Sequence, residues 1–262
     1  MRPDVDEGWA CARSQAPRAR ADQLDVPGTD SAAAGVRKAE AGAADGYFDH
    51  VRPEIASLVP EHARRIVDFG CGRGALGAHL KERQGAEVIG VELFPDAAAV
   101  AAERLDQVVR ADLDLLDALP LEEGSVDVAI FGDVLEHLRD PHRLLRVARR
   151  YLKPFGRIVC SIPNVKHFSV VVPLLVADRF EYTDAGLLDR THVHLFTLEE
   201  IDAMLRETGY ECVELGATNV GALPERYRAL AEIAGRLGAD PRETAARLEA
   251  YQYLVVATPA TA

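Results

Sequence analysis

Asp68-Phe69-Gly70-Cys71-Gly72-Arg73-Gly74 sets a carboxylate before three alternating glycines, a pattern suited to holding a ligand against bare backbone. Glycines lack the Cβ that would keep a ligand away from main-chain amides, and a helix beginning at Ala75 adds its N-terminus to the cradle. With Ala75 as a third small residue, Gly70 and Gly72 also satisfy the loose dinucleotide fingerprint. Asp68 argues against that ligand, because a carboxylate two residues before the first glycine would face an anionic pyrophosphate. A ligand carrying positive charge fits better. The plainer alternative is a turn that only joins a strand to a helix.

Further acids stand at intervals that extend the site. Glu92 lies twenty residues after Gly72, at the end of a short β-branched run. A carboxylate there can accept hydrogen bonds from both hydroxyls of a ribose; without the glycine turn it would read as a solvated acid. Asp112 is placed either to accept from an adenine amino group or to cap a turn. Asp133, Glu136 and His137 follow an almost unbroken apolar run. S-adenosylmethionine (SAM) has an adenosine, sulfonium and ammonium cations, and no phosphate, which suits this combination.

These residues need elements to hold them. Ile66–Phe69, Glu87–Glu92, Gln107–Arg110, Ser125–Gly132 and Gly156–Ile162 are apolar, largely β-branched runs that read as strands, and helical spacing recurs between them. A leading helix is expected over Tyr47–Val59. Asp140-Pro141 pairs an N-cap with a first-turn proline, and Thr197-Leu198-Glu199-Glu200 is a capping box whose helix stops at Gly209. Glu211–Leu215 and Tyr253–Ala257 read as terminal strands around amphipathic helices at Pro224–Leu237 and Pro241–Tyr251. Alternation of strand and helix implies an α/β fold with a parallel sheet and helices on both faces.

The ordered set Val67–Gly74, Glu92, Ala111-Asp112-Leu113 and Gly132-Asp133-Val134-Leu135-Glu136-His137-Leu138 resembles the consecutive motifs of the class I SAM-dependent methyltransferases. Ser161–His167 and Gly186–His192 resemble a bacterial small-molecule subgroup of that family. Phe155 departs from the pattern, which usually has glycine there. The resemblance implies a Rossmann-like seven-stranded sheet, mostly parallel with an antiparallel last strand. It also implies roles. Asp68 and the backbone of Gly70, Cys71 and Gly72 would hold the methionine part of SAM, Glu92 the ribose, Leu93 the adenine face, and Asp112 with Leu113 the adenine edge, with Asp133 beside the sulfonium.

The acceptor is expected to be a small molecule. A net charge of −12 gives no general attraction to nucleic acid. Four scattered cysteines fit a reducing cytoplasm, and the most apolar run, Val170–Ala177, is broken by Pro173 and too short to span a membrane. Residues 1–44 offer few large apolar side chains and read as a disordered tail, leaving residues 45–258 as the domain. Within it, 163–197 is too long for a simple connection and reads as a lid and substrate wall, with Asn164, His167, Tyr182, Arg190 and His194 as substrate contacts. The helical insertion at 217–250 either covers the acceptor pocket or forms a homodimer contact.

Methyl transfer from a sulfonium is an in-line displacement that mainly needs alignment. For a hydroxyl acceptor a neutral histidine can take the proton, and His192 is the first choice with His137 next. Nitrogen acceptors are the nearest variant, and a cofactor-binding module without chemistry is the non-enzymatic alternative. Asp133, Glu136, His137 and His192 also resemble the metal-holding set of small-RNA 2′-O-methyltransferases. Glu-His pairs occur in methyltransferases without metal, and the acidic charge disfavours RNA, so no metal is expected.

Overall fold

The computed structural model describes residues 51–218 and 220–260. The expected tail lies outside the described residues, as does the beginning of the expected leading helix. What is described of that helix is one turn, α1 (Pro53–Ala56). Proline disfavours helical backbone in the residue before it, and Arg52 adopts φ 52° instead. The described helix therefore begins after Arg52.

Seven strands form one sheet: β1 (Arg65–Phe69), β2 (Glu87–Glu92), β3 (Gln107–Arg110), β4 (Val126–Gly132), β5 (Leu152–Pro163), β6 (Tyr210–Thr218) and β7 (Gln252–Pro259). Their order is β3-β2-β1-β4-β5-β7-β6. All neighbours pair in parallel except β7, which is antiparallel to both β5 and β6. The remaining helices are α2 (Ala75–Gln84), α3 (Pro95–Arg104), α4 (Pro141–Tyr151), α5 (Phe168–Ala177), α6 (Leu198–Glu207), α7 (Ala229–Arg236) and α8 (Pro241–Glu249).

Strand alternation divides the core between the two sheet faces. Val67, Phe69, Ala129 and Phe131 pack with Leu144 and Leu145 of α4 and Ile201 and Met204 of α6. Ile66, Val88, Val128 and Ile130 pack with Ile55 of α1, Leu76 and Leu80 of α2 and Ala101 of α3. Both faces are thus sealed, as a parallel sheet requires. Phe69 and Phe131, opposite one another in the register, stack at 4.7 Å and lock together the ends of β1 and β4. β1 is flanked by β2 on one side and β4 on the other, so the chain reverses direction of travel across the sheet here. A ligand crevice opens at the C-terminal ends of strands at such a point.

The expected local signals hold at several ends. The Asp140 side chain accepts from the Arg143 amide, and Thr197 and Glu200 form the reciprocal capping box. The 163–197 segment is less irregular than its length suggests, since it contains α5 and a bridge between Thr183 and Asp189. Phe155 is almost fully exposed in β5 and touches no part of the crevice, while an irregular register between Val126 and Val128 absorbs the residues around it.

Candidate active site

The glycine turn leaves β1 with Gly70 at φ 72° and Gly72 at φ 55°, in the left-handed region that side chains with a Cβ disfavour. A Cβ on Gly70 would also come within 2.7 Å of Val134. Amides of Gly70 and Cys71 both donate to the Val91 carbonyl, at 2.8 and 3.1 Å, which pins the turn to the end of β2. Glu92, the last residue of β2, is buried, and its carboxylate accepts from the Gly72 amide at 2.9 Å and the Phe94 amide at 2.8 Å. Leu93 beside it is about half exposed, at 47%. A fixed acid next to an open apolar side chain is what a ribose and an adenine face need together.

Asp68 is buried at the end of β1. Burial first, and then the neighbouring charge of Glu92, push its carboxyl up to about 7, while Arg52 pulls the other way. Burial likewise raises Glu92 against the opposing hydrogen bonds from the amides of Phe94, Gly72 and Leu93. Two buried acids with one partly compensating arginine make a pocket that favours a cation. Asp112 accepts from the Asp114 amide at 2.9 Å, so its turn-capping role is realised in the loop after β3. Only one of its oxygens appears in that bond, and the side chain is partly exposed together with Leu113.

Asp133 follows β4 in a left-handed conformation, φ 59°. The fold surrounds it with partners. The Arg52 guanidinium pairs with it, the Ser161 hydroxyl donates at 3.0 Å, and the Gln252 amide donates at 2.8 Å. Arg52 also bonds Ser161 at 3.1 Å. Arg52 and Gln252 come from opposite ends of the domain and carry no local sequence signal, which is why motif reading misses them.

Beyond Asp133 the chain makes a single 3-10 turn, Leu135–His137. The Glu136 carbonyl accepts from the amides of Val193 at 2.8 Å and His194 at 3.1 Å. These bonds bring His192 against His137, with the rings edge to face at 4.8 Å. His137 Nδ1 lies 3.1 Å from the Thr191 carbonyl, and His192 Nδ1 lies 3.1 Å from the Leu187 carbonyl. A carbonyl can only accept, so these contacts set the proton on Nδ1 and the lone pair of the neutral ring on Nε2. The Glu136 side chain is buried beside them, and burial followed by the charge of Asp133 holds its carboxyl well above the usual range.

The expected substrate contacts separate. Asn164 is fully buried, and its amide donates to the carbonyls of Arg247 at 2.8 Å and Ala250 at 2.7 Å while its oxygen accepts from the Lys166 amide at 2.9 Å. It ties β5 to the end of α8 and has no donor left for a substrate. His167 caps α5 through Ser169 and packs on Phe168 and Tyr251, with burial pulling its imidazole down to about 4. His194 contacts the Arg139 carbonyl and stacks on Phe196. Tyr182 and Arg190 are exposed; Tyr182 meets the Phe180 ring edge-on and Arg190 pairs with Asp184.

Residues 41–215 match the family model described as a methyltransferase domain. The ubiquinone biosynthesis O-methyltransferase of Roseobacter denitrificans is 32% identical over 174 residues, covering 64% of this chain and 67% of that protein. The enzyme of the same name from Ralstonia nicotianae is 31% identical over 179 residues, covering 66% and 74%. Among solved structures, a SAM-dependent methyltransferase from Mesorhizobium loti superposes with a TM-score of 0.52 at 22% identity, covering 79% of this chain and 96% of that one. The 1,6-didemethyltoxoflavin-N1-methyltransferase of Burkholderia thailandensis, solved with S-adenosylhomocysteine, gives 0.51 at 19% identity, covering 80% and 78%. The chain belongs to the methyltransferase domain family and is a SAM-dependent methyltransferase.

Proposed function

We propose that this enzyme transfers the methyl group of SAM to a hydroxyl of a small metabolite, such as a sugar or a natural-product intermediate, in the cytoplasm. The observation that carries the choice of oxygen is the His137–His192 pair, whose Nδ1 contacts to carbonyls give each neutral ring an accepting Nε2. Both relatives described above are named as O-methyltransferases, which supports the same choice. Nitrogen methylation is the second reading, favoured by the N1-methyltransferase among the structural neighbours.

In this reading Asp68 and the backbone of Gly70, Cys71 and Gly72 hold the methionine end of SAM, Glu92 the ribose hydroxyls, Leu93 the adenine face, and Asp112 and Leu113 its edge. The pocket fits the cofactor's charge, since Asp68 and Glu92 are buried acids beside open backbone. SAM supplies an electrophilic methyl. The chain supplies alignment and a proton acceptor: His192 takes the hydroxyl proton as the oxygen–carbon bond forms, and His137 holds the ring pair in place.

A screen of hydroxylated and amino metabolites with labelled methyl donor tests the acceptor class. His192→Ala is expected to keep SAM affinity within about twofold and to reduce turnover by roughly 10²-fold or more. Unchanged turnover would remove His192 from the reaction, and label found only on amines would replace oxygen by nitrogen.

A further inference from the structure

We infer that Glu136, His137 and His192 form a binding site for one divalent first-row metal ion. Each offers a ligand atom, and these atoms lie within 4.8 Å of one another. Three ligands about 2.1 Å from a shared ion stand about 3–3.6 Å apart, so closing the site takes side-chain movements of roughly an ångström. The cluster joins two stretches 54 residues apart in sequence, held together by the bonds from Val193 and His194 to the Glu136 carbonyl.

An independent observation points to a ligand. Glu136 is only 1% exposed, and neither carboxylate oxygen has a hydrogen-bond partner among the described residues. A buried carboxyl group without partners is costly unless something binds it, and a cation does so directly. The imidazoles are oriented as metal ligands usually are, each with Nδ1 against a backbone carbonyl. One carboxylate with two imidazoles suits zinc, manganese or iron(II) better than magnesium or calcium, which take mostly oxygen. Asp133 is not part of the set, because Arg52, Ser161 and Gln252 occupy its carboxylate.

This deepens the oxygen-acceptor reading and rests on it only for the chemistry. An acceptor hydroxyl coordinated to the ion releases its proton to water. Its oxygen then bonds the methyl carbon as the carbon–sulfur bond breaks, and the sulfonium becomes a neutral thioether. With the ion bound the Nε2 lone pairs are its ligands and water takes the proton, so His192 acts as the proton acceptor only in the metal-free chain.

The test is calorimetric titration of the chelator-treated full chain with Zn²⁺ and Mn²⁺, with Mn²⁺ binding also followed by electron paramagnetic resonance. One ion per chain is expected, weakened about tenfold or more in both Glu136→Gln and His192→Ala. His142→Ala, which removes a surface histidine paired with Glu207, is expected to bind as the wild type does. Thermal melting shows that each variant is folded, and His192→Ala suffices should Glu136→Gln fail to fold. Absence of a stoichiometric ion, or binding that persists in His192→Ala, overturns the site and leaves the O-methyltransferase reading with its histidine base. Metal binding without methylation of any hydroxyl overturns that reading and leaves the site.

Discussion

Asp68 carries two opposed demands. An aspartate in an unfolded chain titrates near 3.8, whereas burial and the charge of Glu92 place Asp68 near 7 in the folded protein. Between these values the native state keeps a proton that the unfolded state has released. The stability of the ligand-free protein therefore falls as pH rises through that window and is lowest above it. Asp68→Asn abolishes this titration, so the variant is expected to be more stable than the parent above pH 7, by on the order of 2–4 kcal/mol, with the advantage shrinking towards pH 4. A melting series across this range checks it. In the proposed binding mode SAM pulls the other way, because its cations face the ionised form. Its affinity should fall by about tenfold per pH unit below 7 and be lost in the variant. Equal affinity at pH 5.5 and 8, measured calorimetrically, would mean that this carboxylate does not face the positive part of the cofactor.

Asn164 shows what the elements around the crevice demand of one side chain. It joins the end of β5 to the last carbonyls of α8 through a fully used amide, just before Phe168 and Val172 of α5 pack on Leu223, Tyr227 and Leu248. Asn164→Ala removes these bonds and strands two carbonyls, at a cost of about 2–4 kcal/mol. A fall in melting temperature with SAM affinity kept within about twofold is the expected outcome; an unchanged melting temperature with a raised KM for the acceptor would make Asn164 a substrate contact after all. The same residue explains how far the sequence could be read. Strands β1 to β5, the glycine turn and the acids at the strand tips are local patterns, because β-branched runs and bare glycines report their own conformation. Asn164, His167 and His194 have the residue types of ligands, but their partners come from α8, Tyr251 and Phe196, and no short pattern records such distant packing. Arg52 and Gln252 were hidden from motif reading for the same reason.

At the scale of the whole molecule, charge separates the acceptor classes more sharply than shape does. A net charge of −12 repels any polyanion unless a cationic surface gathers locally. Candidates for such a surface are the arginines of α4, and they are largely engaged: Arg143 with Asp117 and the Asp114 carbonyl, Arg150 with Glu123, and Arg149 with the Ala260 carbonyl. They compensate neighbouring acids and carbonyls and do not form a track for phosphates. Nor do aromatic side chains alternate with them, as stacking on bases would need. The full chain is therefore expected to show no binding to a labelled single-stranded or duplex RNA of about 20 nucleotides at about 0.15 M salt, with a Kd weaker than about 100 µM by fluorescence anisotropy. A micromolar Kd that weakens steeply with added salt would reverse the argument. It would place phosphates against this acidic surface and make an RNA hydroxyl, in place of a small metabolite, the group presented to His137 and His192.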